Sequence, residues 1–250
     1  MSLLRINGLG KVYGKGQAYT QALKQVDLEV NKADFVAIMG ASGSGKSTLL
    51  NLISTIDKPT HGEIWINNTN IAKLNNAKAD SFRKNQLGFI FQDFRLLDSL
   101  TILENIAVPL IIQKRKKIQI EQRTEEVMDM LCISKLRDKY PYQISGGEKQ
   151  RAACARAIIA EPELILADEP TGSLDSNNAH NIMGVMTEFN EKLKATILMV
   201  THDPMIASYC KRVIFLKDGN IINLIERENN AQNVFYKIIV EHNSKLQQVI

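Results

Sequence analysis

The stretch Gly40-Ala-Ser-Gly-Ser-Gly-Lys-Ser-Thr48 decides the fold, because it fits the phosphate-binding loop pattern G-x-x-x-x-G-K-[ST]. The apolar residues 35–39 before it are typical of a buried strand, and residues 47–53 after it are typical of the first turns of an apolar helix. A strand, a glycine-rich loop and a helix in this order turn backbone N–H groups toward an anion. The stretch therefore predicts a site for a nucleoside triphosphate; the alternative is a glycine-rich turn before an ordinary helix.

Each part of this loop has an expected task. Its glycines can take backbone angles that other residues avoid, which lets the loop curl around phosphate oxygens. Lys46 is expected to reach the β and γ phosphates, and the Ser47 hydroxyl is expected to hold Mg²⁺. The expected nucleotide-binding residues of the loop are Gly40, Ala41, Ser42, Gly43, Ser44, Gly45, Lys46, Ser47 and Thr48.

Length and composition exclude several classes of protein. With 250 residues, of which 44% are apolar, the chain can bury a substantial core. No apolar run approaches the roughly 20 residues that span a bilayer, and residues 1–6 are too short for a secretory signal. We therefore expect a cytosolic chain, or one attached to a membrane only through a partner. The net charge of +4 is mild and does not indicate a nucleic-acid partner.

Two further sets of residues give no clear indication of a function. Cys132, Cys154 and Cys210 lie far apart without the spacing of metal ligands, which predicts reduced thiols. The basic run from Lys114 to Lys117 is expected to cover the exposed end of a helical lobe, and a phosphate or lipid contact is the alternative.

Apolar runs separated by helical stretches predict an α/β fold with a mostly parallel sheet covered on both faces. These runs are residues 87–91, 164–167 and 196–200. Residues 23–30 and 62–66 are short, partly alternating segments and predict a small antiparallel β lobe beside the main sheet.

The second half of the chain adds helices and a hairpin. Residues 121–131 have helical periodicity, with Val127, Met128 and Leu131 on one side. Lys217-Asp-Gly219 lies between two apolar runs and predicts a hairpin turn with two positive φ angles. Residues 233–248 are expected to form a terminal helix. We predict one domain over residues 1–250, with a nucleotide-binding core and β lobe at 1–92 and 161–225, a helical lobe at 93–160 and a C-terminal extension at 226–250.

Two carboxylates follow a predicted strand in Leu164-Ile-Leu-Ala-Asp168-Glu169. Open α/β sheets bind their ligands at the carboxyl ends of strands. Asp168 is expected to position Mg²⁺, directly or through water, and Glu169 to polarise the water that attacks the γ phosphate. The alternative for an acidic pair before Pro170 is a helix N-cap.

A second glycine motif, Ser145-Gly-Gly-Glu-Lys-Gln-Arg151, precedes a long helix and predicts another anion-binding helix start. A single ATP rarely needs both sites from one subunit, so each chain is expected to lend this motif to the nucleotide of a second copy. Here the sequence resembles the ATP-binding-cassette (ABC) ATPases, whose signature Ser-Gly-Gly-x-x-Gln-Arg stands at residues 145–151. Taken alone, Ser-Gly-Gly could be a helix entry turn.

The resemblance covers nearly the whole chain and implies roles for further residues. Tyr13 would stack on adenine, Gln92 would contact Mg²⁺, the attacking water and the transport partner, and His202 would contact the γ phosphate. Ser145, Gly146 and Gly147, and Asp175 in the loop Ser173-Leu-Asp175, would act across a dimer interface. Each role has a structural alternative. Tyr13 could be a tyrosine at a strand edge, and Gln92 a buried polar residue at a strand end. His202 could have a structural role, and Ser173-Leu-Asp175 could be a simple turn. The family often has Gln where this chain has Glu148.

Finer features resemble the branch of the family that serves lipoprotein-release, macrolide-export and peptide-resistance permeases. Residues 137–141, 201–204, 207–210 and 212–215 look most like the Bce-type ATPases, which act in bacitracin or lantibiotic resistance. This resemblance implies ATP and Mg²⁺ as cofactors, a large membrane permease and a second copy of the chain as partners, and signalling to a sensor kinase through the permease. It places the chain at the cytoplasmic face of the membrane.

Other functions of ATPases in this superfamily would need different sequence features. A DNA-repair or chromosome-organising ATPase would carry a long heptad coiled coil, and a translation-factor relative would carry two sets of motifs; the sequence has neither. A lipoprotein-release or macrolide-export ATPase, and a cell-division regulator that does not transport, remain as alternatives. A non-catalytic binding module is disfavoured because every catalytic position is occupied.

Overall fold

The computed structural model describes residues 2–14 and 19–248, so Met1 and the last two residues of the predicted C-terminal extension lie outside it. Its elements follow the chain in this order: β1 (Ser2–Tyr13), β2 (Thr20–Asn31), β3 (Phe35–Met39), α1 (Lys46–Ile53), β4 (His61–Ile66), β5 (Thr69–Asn70), α2 (Asn76–Gln86), β6 (Leu87–Phe91), α3 (Ile102–Ile112), α4 (Lys117–Met130), α5 (Gly146–Ile158), β7 (Leu164–Asp168), α6 (Ser176–Glu191), β8 (Ile197–Thr201), α7 (Pro204–Ala207), β9 (Arg212–Lys217), β10 (Asn220–Glu226) and α8 (Gln232–Gln248).

The chain divides into two compact units. Unit 1 comprises Met1–Asn75 and Thr196–Ile250, and unit 2 comprises Asn76–Ala195. Unit 2 holds the predicted helical lobe, residues 93–160, together with β6 and β7. The finer division of the chain into lobes stays a prediction.

Unit 1 contains a four-stranded antiparallel sheet in the order β2-β1-β4-β5, which confirms the predicted β lobe. Its other strands run in the order β10-β9-β3-β8, and β3 pairs in parallel with both β8 and β9. All residues of β3 and β8 are buried. Strands buried on both faces of a parallel sheet are apolar throughout, which is why residues 35–39 could be recognised.

The predicted hairpin is formed by β9 and β10. Asp218 and Gly219 connect the strands with φ angles of 48° and 76°, so the turn has the two positive φ angles that Asp-Gly favours. The Gly219 N–H donates to the Ser44 carbonyl at 3.1 Å, and the Gly219 carbonyl accepts from Lys24 N–H at 2.9 Å. The hairpin turn therefore braces the segment between β3 and α1.

In unit 2, β6 pairs in parallel with β7, as the apolar runs predicted. The predicted helical region contains α3, α4 and α5, and Val127, Met128 and Leu131 are buried. Helix α5 packs against β6 and α3, and it also contacts α6. This helix thus connects the strand ends of the unit with its helical part.

The three cysteines are free, Cys132 at the surface and Cys154 and Cys210 in the interior. Burial raises the pKa of the Cys154 thiol to about 12 and that of Cys210 well above its ordinary value. Within residues 2–14 and 19–248, no helix has the length and apolar character needed to cross a membrane. In the same residues, there is no group of three or more His, Cys, Asp or Glu side chains that could hold a metal ion.

Candidate nucleotide site

The phosphate loop lies between β3 and α1 in unit 1. The Lys46 ammonium donates to the carbonyl oxygens of Gly40 at 2.8 Å and Ala41 at 3.0 Å, so it closes the loop on itself. Gly45 has a φ of 106°, and a Cβ at this position would lie 2.6 Å from the Ala22 carbonyl oxygen. Both its backbone angle and the close approach of β2 therefore require glycine.

Helix α1 begins at a glycine rather than at a capping side chain. Its N-cap is Gly45, no side chain among the described residues caps it, and its first turn carries no acidic residue. The buried Ser44 Oγ has no hydrogen-bond partner in the part of the chain that the structure describes. Since the start of a helix attracts anions, these groups fit the oxygens of a phosphate chain.

Strand pairing brings the predicted His202 to the same edge of the unit 1 sheet. Met39 and Thr201 are register partners in the parallel pair β3 and β8, so Gly40 and His202 leave neighbouring strand ends. Asp203 caps α7 by accepting from the Met205 N–H at 2.7 Å. The cap fixes the turn on which His202 lies exposed.

Tyr13 lies at the end of β1 in the same unit. Its hydroxyl donates to Asp57 Oδ2 at 2.8 Å, and the Thr48 hydroxyl also hydrogen-bonds the Tyr13 side chain. Burial, followed by the hydrogen bond to the Asp57 carboxylate, raises the pKa of Tyr13. Unit 1 thus holds Tyr13, residues 40–48 and His202, and the contact with Thr48 links Tyr13 to the end of the phosphate-loop motif.

In unit 2, Gln92 and Glu169 follow neighbouring strands. Phe91 and Asp168 are register partners of the parallel pair β6 and β7. Asp168 and Glu169 are half-buried, and the Glu169 carbonyl accepts from the Gly172 N–H at 2.9 Å. A Cβ on Gly172 would lie 3.0 Å from Gln92 Nε2, so the loop after Glu169 packs directly on the Gln92 side chain. The structure brings Gln92, Asp168 and Glu169 to one edge of the unit.

The signature serine caps helix α5. Ser145 Oγ donates to Glu148 Oε2 at 2.8 Å, and the Ser145 N–H donates to the same oxygen at 3.0 Å. In return, the Glu148 N–H donates to Ser145 Oγ at 3.4 Å, which completes a capping box. Hydrogen bonds from the Ser145 N–H and hydroxyl lower the pKa of Glu148. The serine thus already has a partner in its own chain.

Asp175 caps α6, and Asn178 connects this cap to the signature. Asp175 accepts from Asn178 N–H at 3.0 Å and from Asn178 Nδ2 at 2.6 Å. A Cβ on Gly147 would lie 2.3 Å from Asn178 Oδ1. The structure therefore brings residues 145–147 and Asp175 together, and the hydrogen bond from the Asn178 N–H, the largest cause, lowers the pKa of Asp175.

The sequence analysis did not name three residues whose hydrogen bonds hold the loops next to the signature, Glu169 and Gln92. Asn178 has just been described, and the fully buried Gln150 donates from Nε2 to the Pro170 carbonyl, directly after Glu169. Arg156 donates through Nη2 to the Phe94 carbonyl at 2.7 Å and through Nη1 to that of Arg95. Gln150 could have been found from the sequence, because it belongs to the signature motif. Asn178 and Arg156 could be found only from their contacts in the folded structure.

Comparisons with known proteins identify the family of the chain. The family model described as ABC transporter matches residues 23–172. The bacitracin export ATP-binding protein BceA of Halalkalibacterium halodurans is 48% identical over 96% of this chain and 95% of its own. The lipoprotein-releasing system ATP-binding protein LolD of Alcanivorax borkumensis is 42% identical over 87% of this chain and 95% of its own.

A solved structure shows the same fold. The dimeric post-hydrolysis state of the ATP-binding cassette MJ0796, bound to ADP and Pi, has a TM-score of 0.81 and is 39% identical, covering 89% of this chain and 98% of that one. The predicted α/β fold with a phosphate-loop core is thereby confirmed. With a family model that matches residues 23–172 and a relative that is 48% identical over 96% of this chain, the chain belongs to the ABC transporter family, as an ATP-binding subunit that hydrolyses ATP.

Proposed function

We propose that this subunit drives a large membrane permease that protects cells against peptide antibiotics of the bacitracin and lantibiotic type. The observation that carries the proposal is the 48% identity to a bacitracin export ATP-binding protein over 95% of that protein's length. In this proposal the subunit is held at the cytoplasmic face of the membrane by the permease, which also passes a signal to a sensor kinase.

The nucleotide contacts follow from the site residues. Tyr13 stacks on the adenine, and residues 40–48 hold the phosphates. Two features support this placement, the uncapped start of α1 and the buried Ser44 hydroxyl, which is without a partner among the described residues. Glu169 polarises the attacking water, Gln92 orients it, and His202 contacts the γ phosphate.

A magnesium ion fits the chemistry of the predicted ligands. The Ser47 hydroxyl, the Gln92 amide and the Asp168 carboxylate all offer oxygen atoms, which Mg²⁺ prefers to nitrogen or sulfur. When bound, the ion would neutralise charge on the phosphates. We propose these three residues as its holders, directly or through water.

A second copy of the chain completes each site in this proposal. Ser145, Gly146, Gly147 and Asp175 of one copy face the nucleotide of the other. The dimeric state of the MJ0796 cassette and the clustering of these residues around Asn178 support the proposal. Two ATP molecules would then lie between the copies, and hydrolysis would let the copies separate.

The permease is proposed to dock in a groove of unit 2 beside Gln92. This cavity of about 470 Å³ is lined by apolar residues that include Leu87, Phe89 and Val108. Its charged lining residues are Asp80, Arg83, Lys84, Arg95 and Arg156. Basic residues outnumber the acidic one, so the groove suits a permease segment with an apolar face and acidic flanks.

The test is to isolate the chain from gently solubilised native membranes and to identify its companions by mass spectrometry. A permease with a large extracellular domain, together with a sensor kinase, is the expected result. In parallel, cells whose only copy is Glu169→Gln should become as sensitive to bacitracin as cells that lack the subunit. Wild-type resistance in those cells would contradict the proposal.

A second candidate is an ATPase for lipoprotein release, favoured by the 42% identity to LolD. Its permease partner would differ, and loss of the subunit would leave lipoproteins in the membrane where they were made. The same isolation experiment distinguishes the two candidates, because it identifies the permease.

A further inference from the structure

Lys11 and Asp57 form an ion pair that contacts the side chain of Tyr13. The Lys11 ammonium is 2.7 Å from Asp57 Oδ1 and 2.7 Å from the Lys58 carbonyl oxygen. Lys11 is only 9% exposed, and a buried cation requires such partners. Burial by itself raises the pKa of Asp57, but the hydrogen bonds from Lys11 and Tyr13 bring it below its ordinary value. Asp57 is therefore a stable anion between the two side chains. We call Lys11, Tyr13 and Asp57 the Tyr13 clamp.

The clamp holds the aromatic ring at two points. The hydroxyl donates to Asp57 Oδ2 at 2.8 Å, and the Lys11 ammonium lies 4.7 Å from the ring centroid, over one face. Tyr13 itself is 40% exposed. Because the cation that covers one face is buried, the exposed part of the ring lies on the other face. The ring thus presents one open face in a fixed orientation.

The clamp is also connected to helix α1. The Thr48 hydroxyl hydrogen-bonds the Tyr13 side chain, and the Asp57 N–H donates to the Asn51 carbonyl at 3.2 Å. On the strand side, the Val12 N–H donates to Thr60 Oγ1 at 2.9 Å. The open face of Tyr13 is therefore held relative to the helix that begins in the phosphate loop.

We propose that Lys11 and Asp57 are positioning residues for the base of the nucleotide: they fix the Tyr13 ring so that a purine stacks on its open face while the phosphates lie in the loop. The inference rests on the proposed role of Tyr13. A ring that is already ordered loses little freedom on binding, whereas a released ring must be ordered by the ligand. Loss of the clamp should weaken ATP binding about threefold to tenfold, the cost of ordering one side chain.

The experiment compares two ligands on the full chain by calorimetry: ATP, and tripolyphosphate, which has the phosphates but no base. Lys11→Met keeps the apolar stem, Asp57→Asn keeps the shape, and Tyr13→Phe keeps the ring and loses only the hydroxyl anchor. Each should weaken ATP binding and leave tripolyphosphate binding unchanged. The matched control is Lys73→Met, which removes the exposed ion pair with Glu63 at 2.8 Å in the same unit.

Tyr13→Ala separates failure of this inference from failure of the proposed role. If Tyr13→Ala weakens ATP binding while the clamp variants match the control, the clamp inference is wrong and the role of Tyr13 stands. If Tyr13→Ala has no effect, the proposed role itself is wrong. An equal loss of ATP and tripolyphosphate binding in folded Lys11→Met would mean that the lysine acts on the phosphates, which also overturns the inference. Thermal melting identifies variants that do not fold, and the three substitutions give independent tests.

In steady-state hydrolysis the clamp variants should raise KM for ATP about threefold to tenfold, with kcat nearly unchanged, because stacking on the base is equal in the ground state and the transition state. A fall in kcat at constant KM would contradict a positioning role for the base.

Discussion

Glu169 has an uncommon backbone conformation at the position proposed for the catalytic base. Its φ is 45°, in the left-handed region where residues other than glycine are strained by about 1–3 kcal/mol. The Gly172 N–H bonds to the Glu169 carbonyl, and Gln150 bonds to the carbonyl of the next residue, so the loop holds this conformation from two sides. The strained backbone indicates that the direction of the Glu169 side chain is kept at a cost to the stability of the fold.

Replacing this carboxylate tests its role. We expect Glu169→Gln to lower ATP turnover by about 100-fold or more, the contribution of a general base, while ATP affinity stays within about twofold. Turnover and calorimetric binding are measured on the same preparation. Glu191→Gln, an exposed substitution at the end of α6, is the matched control and should leave both unchanged. Near-normal turnover of Glu169→Gln would remove Glu169 from the mechanism.

Among the elements, helices α1 and α5 begin in opposite ways. Helix α1 starts at Gly45 without a side-chain cap from the described residues, whereas α5 starts at Ser145 with a complete capping box. The first start has no side-chain cap, whereas in the second the Ser145 and Glu148 N–H groups are satisfied from within the chain. The capping box therefore fixes Ser145 at the start of α5, beside the Gly146 and Gly147 that are proposed to face the nucleotide of a second copy.

The α5 cap should make stability depend on pH. The pKa of Glu148 is lowered in the folded chain, so its stabilising effect is fully present above the unfolded value, about 4.3, and is lost as pH falls through the folded value. We expect Glu148→Gln to cost about 0.3–1 kcal/mol at pH 7, as a carboxylate in the first turn contributes. The difference in melting temperature from wild type should shrink below about pH 4. A difference that is constant with pH would show that the charge of Glu148 contributes nothing.

Arg156 should couple the segment after Gln92 to helix α5. Phe94 and Arg95 have φ angles of 58° and 48°, and Arg156 bonds to both of their carbonyls. We expect Arg156→Met to destabilise the chain by about 1–3 kcal/mol, because it removes two hydrogen bonds that a charged guanidinium donates. In the proposed permease complex, stimulation of ATP turnover by a peptide antibiotic should fall severalfold, because Arg156 lines the groove proposed for the permease. Arg123→Met, in the neighbouring helix α4, removes a part-buried arginine that pairs with Glu126 and Glu161, and is the control for stability. Equal stimulation of ATP turnover in the Arg156→Met and Arg123→Met variants would contradict this role.

Elements with strong local signals could be predicted from the sequence, and the others could not. Strand β3 is apolar throughout and the β9–β10 turn is Asp-Gly, so both were correct. Strand β1 was missed because Gly8 and Gly10 interrupt it and its pairing with β2 shifts register. Helix α2 was missed because only Ala79 is buried. Helix α3 lies in the predicted helical lobe, but its ends were not predicted because it is apolar almost all round and contains Pro109.

The same distinction applies to the candidate site. The phosphate loop and the signature are contiguous motifs, so their residues could be named from the sequence, the loop from its spacing and the signature from its resemblance to the family. Lys11, Asp57 and Arg156 act through contacts between residues far apart in the chain, and only the folded structure shows them. Their roles depend on burial and on which carbonyl or carboxylate lies within reach.

For the whole molecule, the proposed pairing of two copies can be measured directly. With hydrolysis blocked by Glu169→Gln, we expect ATP to convert the chain from monomer to dimer, followed by light scattering after size exclusion. Adding Ser145→Ala should weaken this dimer about tenfold or more, since it would remove the proposed hydrogen bond to a charged phosphate in each site. The control is Ser134→Ala, whose serine lies in the turn after α4. An unchanged dimer with Ser145→Ala would exclude the serine from the interface.

The distribution of the cysteines has a practical consequence for measuring conformational changes of this protein. Thiolates are the reactive form of cysteine, and the two interior thiols are held protonated by burial. Cys132 lies at the surface just after α4, where a maleimide dye or nitroxide can reach it. The natural chain thus carries a built-in labelling handle, one per copy. Energy transfer or electron spin resonance between two such labels would time the opening and closing of the pair without any engineered cysteine.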